Sequence, residues 1–395
     1  MRGRGAARRR SFRILDLIDV ERPLGFATLP LMSLAGVLGL VLLVGPVFAD
    51  DAGESVRFRG RKAAHLEQFR PSGAGRVLLD TLDSDPPAEP YDTVLIQGWM
   101  PDARVRIEVA FAASGRGGLK WEPAELRRFS NGRFWARCKF AIKSRAPLRL
   151  RVVDSGIKAA HVFELYDVEL FVAGTGPDAG AGKETGQPTT RQSAIPSHPN
   201  YEFVARESWG ARRIEGAYAE HMPVKLTMHH TAGRMPAAYD EAAAEMRFIQ
   251  DYHINGRGWL DIGYHFVISP TGHVFEGRPE GVLGAHVLHN NTGNLGVSFM
   301  GDFQASVSNE PARSGLDAFA ALARRLSRDY NIPPAGIKAH RDFNPATDCP
   351  GDLLYAQLAE LRLRIFGATA PPRAAVGLLV KKDFPAQSYL KSLPW

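Results

Sequence analysis

Cysteine is scarce in this chain. Two residues in 395, Cys138 and Cys349, allow at most one disulfide, and they fall in segments of different character. A stapled framework is excluded, so the fold has to rest on its cores. Net charge is also in short supply once its position is considered. The formal balance is +7, yet residues 1–49 hold seven arginines against three acids, a surplus of +4 that leaves +3 for everything after them. A body so near neutral lacks the basic footprint of nucleic acid binding. What remains is ordinary globular composition, 45% hydrophobic and 23% charged, and the length predicts two or three domains.

No charge occurs from Pro23 to Ala49, where the chain reads LMSLAGVLGLVLLVGPVFA behind the basic run RGRGAARRR. This is a targeting pattern. The apolar span is long enough, at roughly 20 residues, for a membrane helix. Val47-Phe48-Ala49 also suits the cleavage site of a signal peptide. As leader or as anchor, residues 1–49 keep their arginines cytoplasmic. Both readings put residues 50–395 outside the inner membrane, in a periplasmic or extracellular setting, with membrane attachment open through the apolar segment.

Residues 50–173 alternate with a period of two. RVRIEVAFA sets Val105, Ile107, Val109 and Phe111 on one face, and RFWARCKFA does the same with Phe134, Ala136, Cys138 and Phe140. Short alternating runs separated by SGRGG and SNGR predict an antiparallel β-sandwich. Cys138 falls on its apolar face and reads as a core residue. Trp99, Trp121 and Trp135 are expected to be exposed on its strands, without forming a recognisable sugar platform. Residues 174–198 are rich in Gly, Pro and Thr and predict a flexible linker. Residues 199–366 predict one α/β domain. It contains the strand VKLTMHH, a hairpin turning at Pro270 and Gly272, the strand NLGVSFMG, a helix with Leu316, Phe319, Leu322 and Leu326 on one stripe, and a last helix over DLLYAQLAELRLRIF. The tail, 367–395, has no period.

Most of the histidines fall in the α/β domain. His229 and His230 end a strand at the edge of the expected sheet, His340 ends the short strand IKAH, and Cys349 lies in the loop HRDFNPATDCPG just after it. Two imidazoles and a thiolate suit Zn²⁺, and three protein ligands leave a fourth position for water. Equally, His229 and His340 read as ordinary strand-end residues, since H-x₈-C is not a finger spacing. His230, one residue from His229, is expected on the opposite face of the strand, as a core residue or a support for the site. Arg341 and Asp342 are expected to pair beside it.

Six segments in order, RESWGARR, MHHTAG, DIGYHFVISPTGHVFEGRP, GAHVLHNNTGNLGVSFMGDF, KAHRD and TDCPGD, span residues 206–352. In these the region of about 201–360 resembles the peptidoglycan-recognition protein and type 2 N-acetylmuramoyl-L-alanine amidase family, which includes the T7-type lysozyme-amidases. The resemblance implies a central mixed β-sheet flanked by helices. It implies His229, His340 and Cys349 as ligands of one Zn²⁺ per chain. Recognition-only members usually lack that cysteine, so its presence implies catalysis. Tyr264 would assist the attacking water or the oxyanion, and Thr347 would stabilise the tetrahedral intermediate, although the interval from His340 to Cys349 is one residue longer than in most of the family. His286, Asn291 and Asn294 match positions that line the substrate groove. Trp209 would pack the domain's edge or touch the glycan. The implied reaction hydrolyses the amide between the N-acetylmuramic acid lactyl group and L-alanine, with peptidoglycan or muropeptides as partners. A non-catalytic muropeptide-binding module is the alternative, and a β-sandwich that positions the enzyme is a third reading.

Overall fold

A computed structural model describes residues 54–58, 61–62, 65–112, 119–176, 195–307 and 309–367. The expected targeting segment, the C-terminal tail and most of the expected linker lie outside these residues. Among the described residues no helix is long and apolar enough to cross a membrane.

The N-terminal region is built on two main antiparallel sheets, beside a two-stranded ribbon of Arg57–Phe58 and Arg61–Lys62. In the larger, Tyr91–Trp99 lies between His161–Phe171 and Arg133–Ser144. In the smaller, Leu148–Asp154 lies between Val77–Asp80 and Val105–Phe111. Alternation decides which side chains meet. Val94, Ile96, Phe134, Ala136 and Cys138 of the first sheet pack with Ile107, Val109, Leu150 and Val152 of the second. Cys138 is buried there, and burial pushes its thiol up to about 11, so it behaves as a small apolar side chain.

The C-terminal region is built on one mixed sheet. Its strand order is Glu202–Val204, His273–Glu276, Phe266–Ile268, Asn294–Phe299, Lys225–His230 and Ile337–Ala339. All neighbours are parallel except the hairpin Phe266–Ile268 with His273–Glu276. Gly272 closes that hairpin at φ 88°, a left-handed position that glycine takes without strain. Lys225–His230 is therefore an interior strand and not the edge strand expected from the sequence, because Ile337–Ala339 pairs along its outer side. Such a strand is covered on both faces, which accounts for its near-continuous burial.

On one face the helix Arg313–Tyr330 sets Leu316, Phe319, Leu322 and Leu326 against Met228, Val297 and Phe299. Beside it, the segment expected as a single last helix is two, Asp352–Tyr355 and Leu358–Phe366. The Gln357 N–H bonds Leu354 O, three residues back, and this tighter turn interrupts the α-helical ladder. On the other face lies the helix Tyr239–Asp251, with Asp240 and Glu241 favourably placed in its first turn. It continues into a π-helical turn, Tyr252–Arg257, that ends at Gly258.

This second helix is packed on two sides. Ala242, Met246 and Ile249 share one core with Val267 and Phe275 of the mixed sheet and with Leu95, Trp135 and Phe171 of the N-terminal strands. Trp135 is thus buried and not exposed as the sequence suggested, and its Nε1 donates to Asp251 Oδ1 at 2.9 Å. Arg133 is buried beside it. Its Nε donates to both carboxylate oxygens of Glu245 at 3.0 and 3.1 Å, its other nitrogens bond Gly98 O and Gln97 Oε1, and its guanidinium stacks 3.9 Å from the Phe248 ring centroid.

Candidate metal centre and cleft

Strand pairing brings the two histidines together. Met228 pairs with Ala339 in a parallel register, so the next residues, His229 and His340, leave their strands side by side at the carboxyl end of the sheet. Ligand sites in α/β folds form at such ends. Their ring centroids are 4.7 Å apart. His340 begins a one-turn helix, His340–Asp342, which Asp342 holds by accepting the Ala339 N–H at 2.9 Å. Asn344 then turns the chain. Its side-chain oxygen accepts the Ala346 N–H and its carbonyl accepts the Thr347 N–H. The Arg341 N–H closes the loop on Cys349 O at 3.2 Å. Cys349 Sγ then lies 3.5 Å from His229 Nδ1 and accepts the His230 N–H at 3.4 Å. Donor atoms of His229, His340 and Cys349 all lie within 4.8 Å of one another, a group able to hold a metal ion.

The tautomer of His229 follows from its partners. The carbonyl of Asn294 can only accept, so His286 Nε2, 3.0 Å away, carries a proton and donates. Neutral imidazole then leaves His286 Nδ1 as an acceptor. His229 Nε2, 2.9 Å from that nitrogen, must be the donor. His229 Nδ1 keeps its lone pair, and that is the nitrogen facing Cys349 Sγ. Burial, reinforced by His340 and His286, holds His229 far below the usual histidine range. Burial lowers His340 to about 4 and, as the main cause, His286 to about 3. All three rings are neutral near pH 7, the form that binds a metal. The residues therefore fit a borderline-soft divalent ion, with the orienting hydrogen bond that ligating histidines usually make.

Two glycines make room for this relay. A Cβ on Gly296 would come within 2.6 Å of His286 Cγ, and one on Gly284 within 2.6 Å of His286 Cδ2. Asn291 Oδ1 accepts the N–H groups of His286 and Val287, both at 2.9 Å. Asn294 spends its side chain on Thr227 Oγ1 and Asn290 O and is fully buried. His286 lines the cleft over the centre, but Asn291 and Asn294 act from beneath, bracing His286, where no groove contact reaches them. Trp209 is also fully buried, with Nε1 donating to Glu276 O at 2.8 Å. It packs the domain, and a glycan has no access to it. Of the expected pair beside the site, Arg341 instead bonds Asp352 at 2.9 Å, and Asp342 accepts from Tyr355 OH.

Tyr264 lies across the centre, its ring centroid 5.4 Å from that of His229. Burial, followed by the nearby Cys349 thiol, raises its phenol well above its usual range, so it stays protonated as a donor. Thr347 Oγ1 accepts the Cys349 N–H at 3.2 Å, which leaves its hydroxyl hydrogen available. His230 points away from the centre. Its ring lies 3.6 Å from Asp302, and its Nδ1 accepts the Phe303 N–H. Both Tyr264 and Thr347 line a cleft of about 1170 Å³ together with His286, His340 and Cys349.

The N-acetylmuramoyl-L-alanine amidase family model matches residues 220–352. Peptidoglycan recognition protein 1 of Bos indicus is 36% identical over 155 residues, covering 39% of this chain and 80% of that protein. The chain belongs to this family of peptidoglycan amidases and recognition proteins. The N-acetylmuramoyl-L-alanine amidase of Homo sapiens is 38% identical over 175 residues, 42% of this chain and 29% of that protein, so the chain spans less than a third of that relative. Among solved structures, wild-type Drosophila PGRP-LB is 31% identical with a TM-score of 0.36, covering 40% of this chain and 93% of that one.

Proposed function

We propose that the protein is a zinc-dependent N-acetylmuramoyl-L-alanine amidase acting on peptidoglycan or muropeptides outside the inner membrane. One observation carries the reading. His229, His340 and Cys349 converge, and the His286 relay leaves His229 Nδ1 unprotonated toward the thiol. When bound, zinc would polarise the scissile carbonyl and lower the pKa of water. The chain's own part is positioning. Tyr264, kept protonated by burial, would donate to the carbonyl oxygen as negative charge develops there. Thr347 would hold the Cys349 backbone and offer its hydroxyl to the same region. The cleft walls would screen these bonds from bulk water and so strengthen them.

The competing reading is recognition without hydrolysis, as the names of several relatives suggest. Mass spectrometry of muropeptides after incubation separates the two. The amidase reading expects free L-alanine amino termini, no new reducing sugar ends, and loss of the reaction on chelation. Reducing ends would indicate a glycosidase, and unchanged muropeptides with zinc-loaded protein would leave only binding. Cys349→Ala is expected to lose most of about one zinc per chain; full retention would remove Cys349 from the ligand set.

A further inference from the structure

The cleft in front of the metal centre has a second wall that the amidase region does not supply. Arg57, Pro86, Ala88, Glu89, Lys143 and Glu169, all from the N-terminal β region, line it opposite His286, His340 and Thr347. Three observations make this wall a fixed part of the site. Its docking surface is buried, through the core that joins Leu95, Trp135 and Phe171 to the helix Tyr239–Asp251 and through the enclosed Arg133–Glu245 pair. Glu169 is held from the amidase side, by Tyr252 OH at 2.7 Å and Arg257 Nε at 3.2 Å. Arg57 reaches across the rim to Asp348 Oδ1 at 2.9 Å, beside the ligand Cys349, while Asp85 N–H bonds Arg57 O and Pro86, Pro87 and Pro90 restrict the adjoining segment.

We propose that the β region is the second half of the substrate site and that it restricts the enzyme to single-stem substrates. These would be soluble muropeptides, one peptide on a short glycan, in preference to the cross-linked polymer. This rests on the amidase reading above. A volume of about 1170 Å³ is close to the roughly 300–1,000 Å³ of pockets that enclose one small ligand. A wall fixed by a shared core does not swing aside for a mesh. Hydrolysis of a bulky polymer needs a groove open on one side, and here the Arg57–Asp348 contact and the proline-rich segment narrow that side.

The test uses the full chain, two substrates and two variants. The wild-type enzyme is expected to favour a purified disaccharide-peptide over insoluble sacculi by at least about tenfold in kcat/KM per stem. Arg57→Ala, which releases the rim, is expected to shift that ratio toward sacculi by about fivefold or more. Ala88→Trp, which fills the wall, is expected to raise KM for the disaccharide-peptide about fivefold with kcat and zinc content little changed. Equal wild-type rates on both substrates, or variants that leave ratio and KM unmoved, would overturn the proposal. Calorimetric binding of the same disaccharide-peptide to the chelator-treated chain keeps the two readings apart. Weaker binding by Ala88→Trp without turnover in any zinc-loaded form would sink the hydrolase and keep the wall. Turnover with binding unaltered by Ala88→Trp would sink the wall and keep the hydrolase.

Discussion

Replacing Glu245 by glutamine tests how the two regions are joined. The carboxylate is 5% exposed and faces an Arg133 side chain that is 2% exposed. Despite that cation, burial raises the Glu245 carboxyl above its usual range, so desolvation outweighs attraction at this site. The pair is therefore a weak net source of stability, as buried ion pairs often are. Removing one charge is a different matter. Glutamine offers Arg133 Nε a single neutral acceptor where two carboxylate oxygens stood, and the guanidinium remains enclosed under Phe248. The expected loss is about 3–5 kcal/mol, the usual cost of stranding a buried charge. Against total stabilities of about 5–15 kcal/mol that is large. The paired replacement Arg133→Met with Glu245→Leu removes both charges and leaves only Gly98 O and Gln97 Oε1 short of a donor. It is expected to be less damaging than either single change. Urea denaturation followed by circular dichroism measures the wild type, Glu245→Gln, Arg133→Met, Glu245→Leu and the double variant. A Glu245→Gln loss under about 1 kcal/mol, or a double variant as unstable as the worse single one, would refute the reasoning.

Further expectations concern the centre itself. His286→Ala removes the acceptor that sets the His229 tautomer and should weaken zinc binding by about 10–100-fold in a competition titration; unchanged affinity would mean that the relay does not orient the ligand. Tyr264→Phe should keep zinc and lose about 10²–10³ in kcat, and equal turnover would exclude the phenol from the reaction. Metal-free protein should lose stability in acid. His340 and His286 titrate near 4 and 3 when folded, lowered chiefly by burial, and near 6.5 when unfolded. The unfolded chain then binds more protons below pH 6.5, and the urea midpoint should fall from there toward pH 4. A midpoint flat across that window would contradict neutral buried rings.

Part of the site could be read along the chain, because the motifs that carry the family resemblance are local. A histidine pair closing VKLTMHH, a histidine closing IKAH and a cysteine before Pro-Gly mark chain positions that pairing then brings together. Period-two alternation likewise marks Ile107, Val109, Phe134 and Ala136 as core residues, since a strand's faces follow from its pleat. Tertiary structure decided what no spacing encodes. Glu245 and Asp251 are charged residues of a helix, yet a second region covers them and bonds to them as anchors. Trp135 and Trp209 are large enough to serve a sugar and are buried instead. Asn291 and Asn294 sit in a groove-like motif but spend their polar atoms under His286.

The order of residues was enough to mark the strand faces, the family motifs and, through them, His229, His340 and Cys349 as candidates, since each depends on side-chain type at short range. Which nitrogen of His229 faces the thiol, and what closes the far side of the cleft, depend on residues as distant as Asn294 and Arg57. Contacts between such residues are set by how two independently patterned sheets dock on one helix, and that docking has no periodic trace in the chain.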